Sequence, residues 1–217
     1  MLRALVALFF MVSTPARGCD TALLLAIDVS GSIDASEYAL QVQGLSAALR
    51  DPEVAGVLVQ GRVALAVVQW SGPGRQALVV PWRRMTDAAA VASLATDAAR
   101  LPRAFAASDT AVGEAIFFAL EQFEAVPDCA RHVIDISGDG PENAGFTVGR
   151  ARSAAEAAGV AINAIAIEDP GRSSPITAFY ARWAITRNGF VMTARGLGDY
   201  PAAIRAKLMR ELAKPVG

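Results

Sequence analysis

The chain has 217 residues, which is long enough to bury a hydrophobic core of its own. Hydrophobic residues make up 53% of it and charged residues 19%, a composition that indicates a globular protein and excludes an intrinsically disordered one. The formal net charge is −1, and no basic run is longer than Arg83-Arg84. Nothing in the sequence therefore favours a nucleic-acid partner.

The first 18 residues have the pattern of a secretory signal peptide. Arg3 precedes an apolar run over residues 4–12, and small residues stand at 16 and 18. The apolar run is too short to span a bilayer. We therefore predict cleavage near Gly18 and export to the periplasm or the medium. The mature chain, residues 19–217, is expected to form one domain without a membrane span.

Beyond Cys19, strand patterns alternate with helical patterns along the chain. Strands are expected at 22–28, 62–70, 76–82, 132–137, 160–167 and 189–194, and helices at 34–50, 87–100, 111–124, 148–158, 175–186 and 199–213. This alternation predicts β-α-β crossovers and an α/β fold with a mostly parallel sheet between two helical layers. The short SGPG link before residue 76 predicts that the third strand is an antiparallel edge strand.

Three separated segments place oxygen-bearing side chains where predicted strands end or helices begin. Asp28, Ser30 and Ser32 follow the first strand, Thr110 precedes the helix expected from residue 111, and Asp139 follows the fourth strand. Ligands bind at the carboxyl ends of strands in such sheets. Because these side chains are two carboxylates and three hydroxyls, they favour Mg²⁺, with Mn²⁺ or Ca²⁺ as alternatives, over zinc.

This combination resembles the von Willebrand factor type A (vWA) domain. The motif D-x-S-x-S after a buried strand, a threonine before a later helix and Asp-Gly after the next strand match its metal-ion-dependent adhesion site (MIDAS). The exported form with DVSGS and DISGDG is similar to the bacterial DUF1194 subgroup. The resemblance covers residues 20–213 and implies a three-layer, Rossmann-like fold.

The resemblance also implies a role for each site residue. Ser30, Ser32 and Thr110 would bind the metal through their hydroxyls, whereas Asp28 and Asp139 would bind it directly or through water. The sequence departs from the family pattern in two places, because Gly138 stands where a hydroxyl residue is usual and Asp109 stands where a glycine is common.

A metal held by at most two anions can keep one coordination position open for a carboxylate from outside. The chain is therefore expected to be a metal-dependent protein-binding module and not an enzyme. Its partner protein is expected to present an Asp or Glu to the metal. The residues expected to surround the metal, because they follow strand ends on the same face, are Arg75, Asp109, Glu142, Asn143, Glu168 and Asp169.

Other interpretations of the same residues remain open. The turn at 28–32 could cap the following helix, Thr110 could be a helix cap, and Asp135 could be the acidic ligand instead of Asp139. A Mg²⁺-dependent phosphotransferase or hydrolase that uses Asp28 as its nucleophile is the best enzymatic alternative. A structural domain with a vestigial metal site is the third hypothesis. The only histidine, His132, is expected to be a packed or surface residue rather than a catalyst.

The two cysteines stand at the starts of the first and fourth predicted strands. Cys19 precedes Asp28 by nine residues, and Cys129 precedes Asp139 by ten. If these strands are parallel neighbours with level ends, the thiols lie within disulfide reach. Export favours such a bond. Two free buried thiols, or a lipid anchor on Cys19, are the alternatives.

Overall fold

The computed structural model describes residues 18–106, 108–168 and 175–212. Six strands form one sheet within these residues: β1 Cys19–Asp28, β2 Ala64–Trp70, β3 Gln76–Arg84, β4 Cys129–Gly138, β5 Ala161–Glu168 and β6 Val191–Arg195. Their order across the sheet is β3-β2-β1-β4-β5-β6. Only β3, which pairs with β2, is antiparallel to its neighbour in this sheet. The mostly parallel sheet with an antiparallel edge strand is thereby confirmed.

Helices cover both faces of the sheet. Those in the described part of the chain are α1 Ala35–Arg50, α2 Pro52–Gln60, α3 Ala88–Ala98, α4 Val112–Gln122, α5 Val148–Ala157, α6 Ile176–Phe179 and α7 Tyr200–Leu212. Side chains of α1, α2, α3 and α7 fill one core, and side chains of α4, α5 and α6 fill the other. The fold is the expected three-layer α/β arrangement.

The central strand β1 shows why its sequence is continuously apolar. Leu23, Leu25 and Ile27 belong to the core under α1 and α7, whereas Leu24 and Ala26 belong to the core under α4 and α5. Successive side chains of a strand point to opposite faces of the sheet. A strand that is covered on both faces therefore needs an apolar residue at every position.

Two helical segments differ from the sequence-based expectation. Helix α2 was not predicted, although Asp51 accepts hydrogen bonds from the amides of Glu53 and Val54 and Pro52 occupies the first turn, which together are a recognised start signal. The α-helix expected at 175–186 is shorter than predicted and covers only Ile176–Phe179. A wider π-helical turn follows it over Tyr180–Ala184. Single π-helical turns of this kind are rare and are frequently found at functional sites.

The predicted disulfide between Cys19 and Cys129 is confirmed. The two residues are directly opposite each other in the β1–β4 register, with their Cα atoms 4.3 Å apart. The bond lies at the amino ends of these strands, far from the ends that carry Asp28 and Asp139. The bond joins the first residue of β1 to the first residue of β4, the two central strands of the sheet. Both cysteines are therefore oxidised, and neither is a free thiol.

The amino-terminal prediction lies outside the described residues. The signal peptide was expected over residues 1–18, of which the structure describes only Gly18. In the described part of the chain, no helix combines the length and the apolarity that a bilayer crossing requires. Export and signal cleavage therefore stay predictions from the sequence.

Candidate metal centre

The loops after β1 and β4 meet at the carboxyl edge of the sheet. Ser32 Oγ donates a hydrogen bond of 2.6 Å to Asp139 Oδ1, and the hydroxyl oxygens of Ser30 and Ser32 are 3.2 Å apart. Ser32 and Asp139 are 107 positions apart in the sequence. They touch because β1 and β4 are parallel neighbours whose ends are level.

The loop before α4 brings Thr110 to the same place. A Cβ built on Gly140 would lie 3.9 Å from Thr110 Oγ1, so this hydroxyl faces the turn that contains Asp139. Asn143 holds Thr110 there with two hydrogen bonds. Its side-chain Oδ1 accepts from the backbone N–H of Thr110 at 2.8 Å, and its backbone N–H donates to the Thr110 carbonyl at 3.0 Å. The structure thus brings the three predicted segments together.

Asp28 is the most deeply placed member of this group. It is fully buried, and its Oδ1 accepts a 2.7 Å hydrogen bond from the Ser30 amide, whereas its Oδ2 accepts none from any described residue. Burial, and secondly the charge of Asp139, raise the pKa of Asp28 to about 7. An anion in such a place is unfavourable unless a proton or a cation compensates it. The site is therefore well suited to a cation.

Tyr180 lies beside the Asp28 carboxylate and was not predicted as part of the site. A Cβ built on Gly138 would clash with Tyr180 Oη and would lie 2.9 Å from Asp28 Oδ2. Burial, followed by the charges of Asp28 and Asp139, raises the pKa of Tyr180 well above its ordinary value. The phenol therefore stays protonated and can donate a hydrogen bond. No pattern near residue 180 signals this role.

Arg103 supports the loop that follows β1. Its Nη2 donates to the carbonyl oxygens of Val29 at 2.9 Å and of Ser30 at 2.8 Å. The amide of Gly31 adds a 2.9 Å hydrogen bond to the Ser108 carbonyl, which joins this loop to the one carrying Thr110. Sequence reasoning missed Arg103, because it lies in an irregular segment without periodicity.

Glu142, expected beside the metal, joins two helices. Its Oε1 accepts from the Gly113 amide at 2.9 Å, and its Oε2 accepts from the Val148 amide at 3.1 Å. These amides belong to the first turns of α4 and α5, where helix N–H groups lack intrahelical acceptors and favour a negative charge. Glu142 therefore fixes the relative position of the two helices next to Thr110.

The other residues expected around the metal differ in their surroundings. Glu168 Oε1 accepts from the Thr177 amide at 2.9 Å at the start of α6, and this hydrogen bonding lowers the pKa of Glu168. Arg75 and Asp109 are exposed, as is Asn143. Asp169 lies outside the described residues.

The structure does not favour the helix-capping interpretations. Asp34 caps α1, in a reciprocal arrangement with Glu37, so the turn at 28–32 has no such role. Ala111, and not Thr110, directly precedes α4, and Glu142 accepts from an amide of the first turn of that helix. His132 is a packed residue, as expected, with its ring centroid 5.0 Å from that of Phe123.

Asp135 does not belong to the candidate metal centre. It is buried inside β4, and its Oδ1 lies 2.5 Å from Nζ of the buried Lys207. Among the described residues, no group of three or more His, Cys, Asp or Glu side chains is arranged to hold a metal ion. A cation between Asp28 and Asp139 would therefore depend on the hydroxyl oxygens for its remaining protein ligands.

Comparison with known proteins agrees with this fold. The family model described as "Protein of unknown function (DUF1194)" matches residues 18–216. The sequence matches no curated protein.

Several solved structures share the fold at low sequence identity. The mussel byssus proximal thread matrix protein 1 (PTMP1) with a zinc-occupied MIDAS motif is 19% identical with a TM-score of 0.63, and the match covers 89% of this chain and 49% of that one. A von Willebrand factor type A protein from Catenulispora acidiphila is 18% identical with a TM-score of 0.63, covering 91% and 44%. The pilus adhesin SpaC from Lactobacillus rhamnosus GG is 13% identical with a TM-score of 0.67, covering 89% and 30%. The chain thus spans half or less of the length of these proteins, and its fold is vWA-like.

Proposed function

The chain belongs to the DUF1194 family, and from the geometry of its candidate metal centre we propose that it is an exported, metal-dependent protein-binding module. A divalent cation would link the protein to an Asp or Glu of a partner protein. The observation that carries this proposal is the buried Asp28 carboxylate. Its Oδ2 accepts no hydrogen bond from the described residues, although a second carboxylate, Asp139, is close enough to raise its pKa.

The residues present fit a hard divalent cation. Asp28 and Asp139 supply at most two negative charges, and the hydroxyls of Ser30, Ser32 and Thr110 supply neutral oxygens. Mg²⁺ is the expected ion because every candidate ligand is an oxygen, and Mn²⁺ and Ca²⁺ share this preference. The zinc-occupied motif of PTMP1 supports a divalent cation in a protein of this fold. When bound, the ion supplies an electrophilic position that an outside carboxylate can fill.

The surroundings of the site favour access from one side. Asp28, Ser30, Thr110 and Asp139 are buried, whereas Ser32 is exposed. A partner would therefore approach along the Ser32 side. We assign the selection of the partner to exposed residues of the neighbouring loops, with Arg75, Asp109 and Asn143 as the candidates. Asp169, which lies outside the described residues, stays a candidate from the sequence alone. Glu142 and Glu168 would act indirectly, by holding helix ends in place.

Isothermal titration calorimetry of the exported chain with Mg²⁺, Mn²⁺ and Ca²⁺ tests the proposal. The native protein is expected to show saturable binding, and Asp28→Ala to lose it, because the substitution removes the buried charge that the cation compensates. Ser32→Ala is a second variant, with a smaller expected loss because the hydroxyl is neutral. Asp97→Ala, which removes an exposed carboxylate paired with Arg83, is the control and should bind metal normally.

Equal metal binding by the native protein and Asp28→Ala would contradict the proposal. The phosphotransferase alternative has less support, because Asp28 is fully buried and a nucleophile must reach its substrate. Mg²⁺-dependent hydrolysis of a generic phosphoester that disappears in Asp28→Ala would favour that alternative. A vestigial site would show no saturable metal binding in any of these variants.

A further inference from the structure

An open groove of about 840 Å³ with apolar walls lies next to the candidate metal centre. Phe146, Val148, Phe179 and Trp183 line it, together with the charged residues Glu142 and Arg150. Phe146 is 78% exposed and Trp183 is 46% exposed. In the described part of the chain, three large apolar side chains are exposed, and two of them are in this groove. Such clustering is typical of an interaction surface.

The backbone at Phe146 supports a role beyond folding. Phe146 has a φ of 52°, which is unfavourable for a bulky residue, and the preceding Gly145 has a φ of 79°. The turn presses against α4, since a Cβ on Gly145 would lie 3.3 Å from Glu114 Oε1. The protein thus holds a large apolar side chain in solvent at a cost in backbone energy, without gaining core burial. Strain of this kind is concentrated at functional sites.

Two residues of the groove contact residues that adjoin the candidate metal centre. Glu142 lines the groove and accepts from the amide of Gly113, on the helix that directly follows the Thr110 loop. Phe179 lines the groove, and its ring meets the ring of Tyr180 edge-on with centroids 5.4 Å apart. Tyr180 in turn places its hydroxyl beside Asp28. One extended segment of a partner could therefore contact both sites.

The charges around the groove favour an acidic occupant. Arg150 lines it, and the guanidinium of Arg182 lies 5.0 Å from the ring centroid of Trp183. Arg152 Nη1 donates to the Arg182 carbonyl, which places a third arginine close by. The opposite charge, on Glu142, is already engaged by two backbone amides. Charge complementarity of this kind selects partners and speeds their association.

We propose that this surface, the Phe146 groove, binds an apolar side chain from a partner segment whose acidic residues face Arg150 and Arg182. The same segment would provide the Asp or Glu for the metal centre, so this inference rests on the proposed function and names the class of partner. A second copy of this chain is a poorer occupant, because two copies paired by a two-fold axis would bring their arginines together.

Short random peptides displayed on phage, selected on the full exported chain in Mg²⁺, test the proposal. Enriched peptides should combine Asp or Glu with an aromatic or large aliphatic residue. Synthetic copies are then titrated by fluorescence anisotropy. Phe146→Ser and Trp183→Ser should each weaken binding about 10-fold or more, as expected for aromatic anchors. Leu40→Ser, which changes the third exposed apolar side chain, is the matched control and should bind like the native protein.

The outcomes separate this proposal from the proposed function. Phe146→Ser should keep native Mg²⁺ affinity while losing peptide binding. Peptides that require Mg²⁺ and Asp28 but bind Phe146→Ser normally would overturn the groove and leave the metal-dependent function standing. Binding that needs Phe146 but is unaffected by a chelator would overturn the two-site recognition. Failure to enrich any peptide, or a dimer in sedimentation velocity that Phe146→Ser dissociates, would also overturn the assignment to an acidic partner.

Discussion

The hydroxyl of Tyr180 occupies the space that a side chain at Gly138 would need. A Cβ on residue 138 would clash with Tyr180 Oη and approach Asp28 Oδ2 to 2.9 Å, and neither of these oxygens has a hydrogen-bond partner among the described residues. The vWA pattern commonly has a hydroxyl residue at the position of Gly138. In this chain, a hydroxyl group reaches the same region from the π-helical turn after α6.

We expect Tyr180→Phe to weaken Mg²⁺ binding by about 10-fold, the lower range for residues that orient metal ligands. The substitution keeps the ring but removes a donor beside the Asp28 carboxylate. Calorimetric titration with Mg²⁺ measures the change. Tyr200→Phe, which removes another buried hydroxyl on the opposite face of the sheet, is the control. Unchanged affinity in Tyr180→Phe would show that the hydroxyl does not support Asp28.

Gly138→Ala should destabilise the protein by about 1–3 kcal/mol, because the added methyl group overpacks a filled site. Removing Tyr180 Oη relieves part of the clash, so the double variant with Tyr180→Phe should lose less stability than the sum of the single variants. Urea unfolding in the presence of a chelator measures the free energies of unfolding. Strict additivity would mean that the two positions do not compete for space.

The raised pKa of Asp28 predicts a pH-dependent stability for the metal-free protein. The pKa is about 7 in the folded chain against an ordinary value of 3.8 for an aspartate. The contribution of protonated Asp28 to the free energy of unfolding is therefore fully present below about pH 4 and is lost as the pH rises through about 7. Asp28→Asn cannot titrate, so in a chelator the native protein should lose stability relative to this variant over the same interval.

Mg²⁺ binding should show the opposite pH dependence. The cation competes with the proton on Asp28, so affinity should rise up to about pH 7 and then level off. Calorimetry at several pH values, in buffers of different ionisation enthalpy, would detect the released proton. Affinity that is independent of pH across this interval would place the cation away from Asp28.

Arg103→Gln should weaken Mg²⁺ binding by about 10-fold or less, because the loop carrying Ser30 loses two carbonyl contacts that hold its shape. Arg103→Lys should recover part of the affinity. The lysine ammonium keeps the positive charge near the two carbonyl oxygens, but it is a compact point charge and lacks the planar geometry of the guanidinium. Hydrogen exchange at the Gly31 amide should accelerate in Arg103→Gln. Arg100→Gln, an exposed neighbour in the same segment, is the control for the loss of positive charge.

Lys207→Met should destabilise the protein by about 3–5 kcal/mol at alkaline pH, because it leaves Asp135 and Glu211 buried without their cation. Lys207 Nζ lies 2.5 Å from an oxygen of each carboxylate. Burial and the nearby Glu211 charge raise the pKa of Asp135 to about 7. Lys207 lowers this pKa, so its removal raises the pKa of Asp135 further, and the loss should shrink as the pH falls from alkaline values towards about 7. Arg205→Met, at a half-buried ion pair with Asp51, should change stability much less, because neither charge is left without solvent.

The fold and the disulfide were largely predictable because they depend on patterns that are local in the sequence. The apolar run of β1 specifies a strand covered on both faces, and the alternation of strands and helices specifies a mostly parallel sheet. Once β1 and β4 are neighbours with level ends, Cys19 and Cys129 must also lie level. The segments carrying Asp28, Thr110 and Asp139 were recognisable for the same reason, since each stands at the end or the start of a regular element.

The contacts that shape the site depend on which distant segments meet. Arg103 and Tyr180 come from a loop and a π-helical turn, where side-chain direction follows from packing and not from periodicity. Asp135 resembled a candidate ligand until α7 supplied Lys207 as its partner. The sequence by itself determined the strands and the oxygen-bearing residues at their ends, because hydrophobic burial follows local periodicity. Only the tertiary structure decided the surroundings of Asp28, because buried charges and hydroxyls are positioned by contacts between residues far apart in the chain.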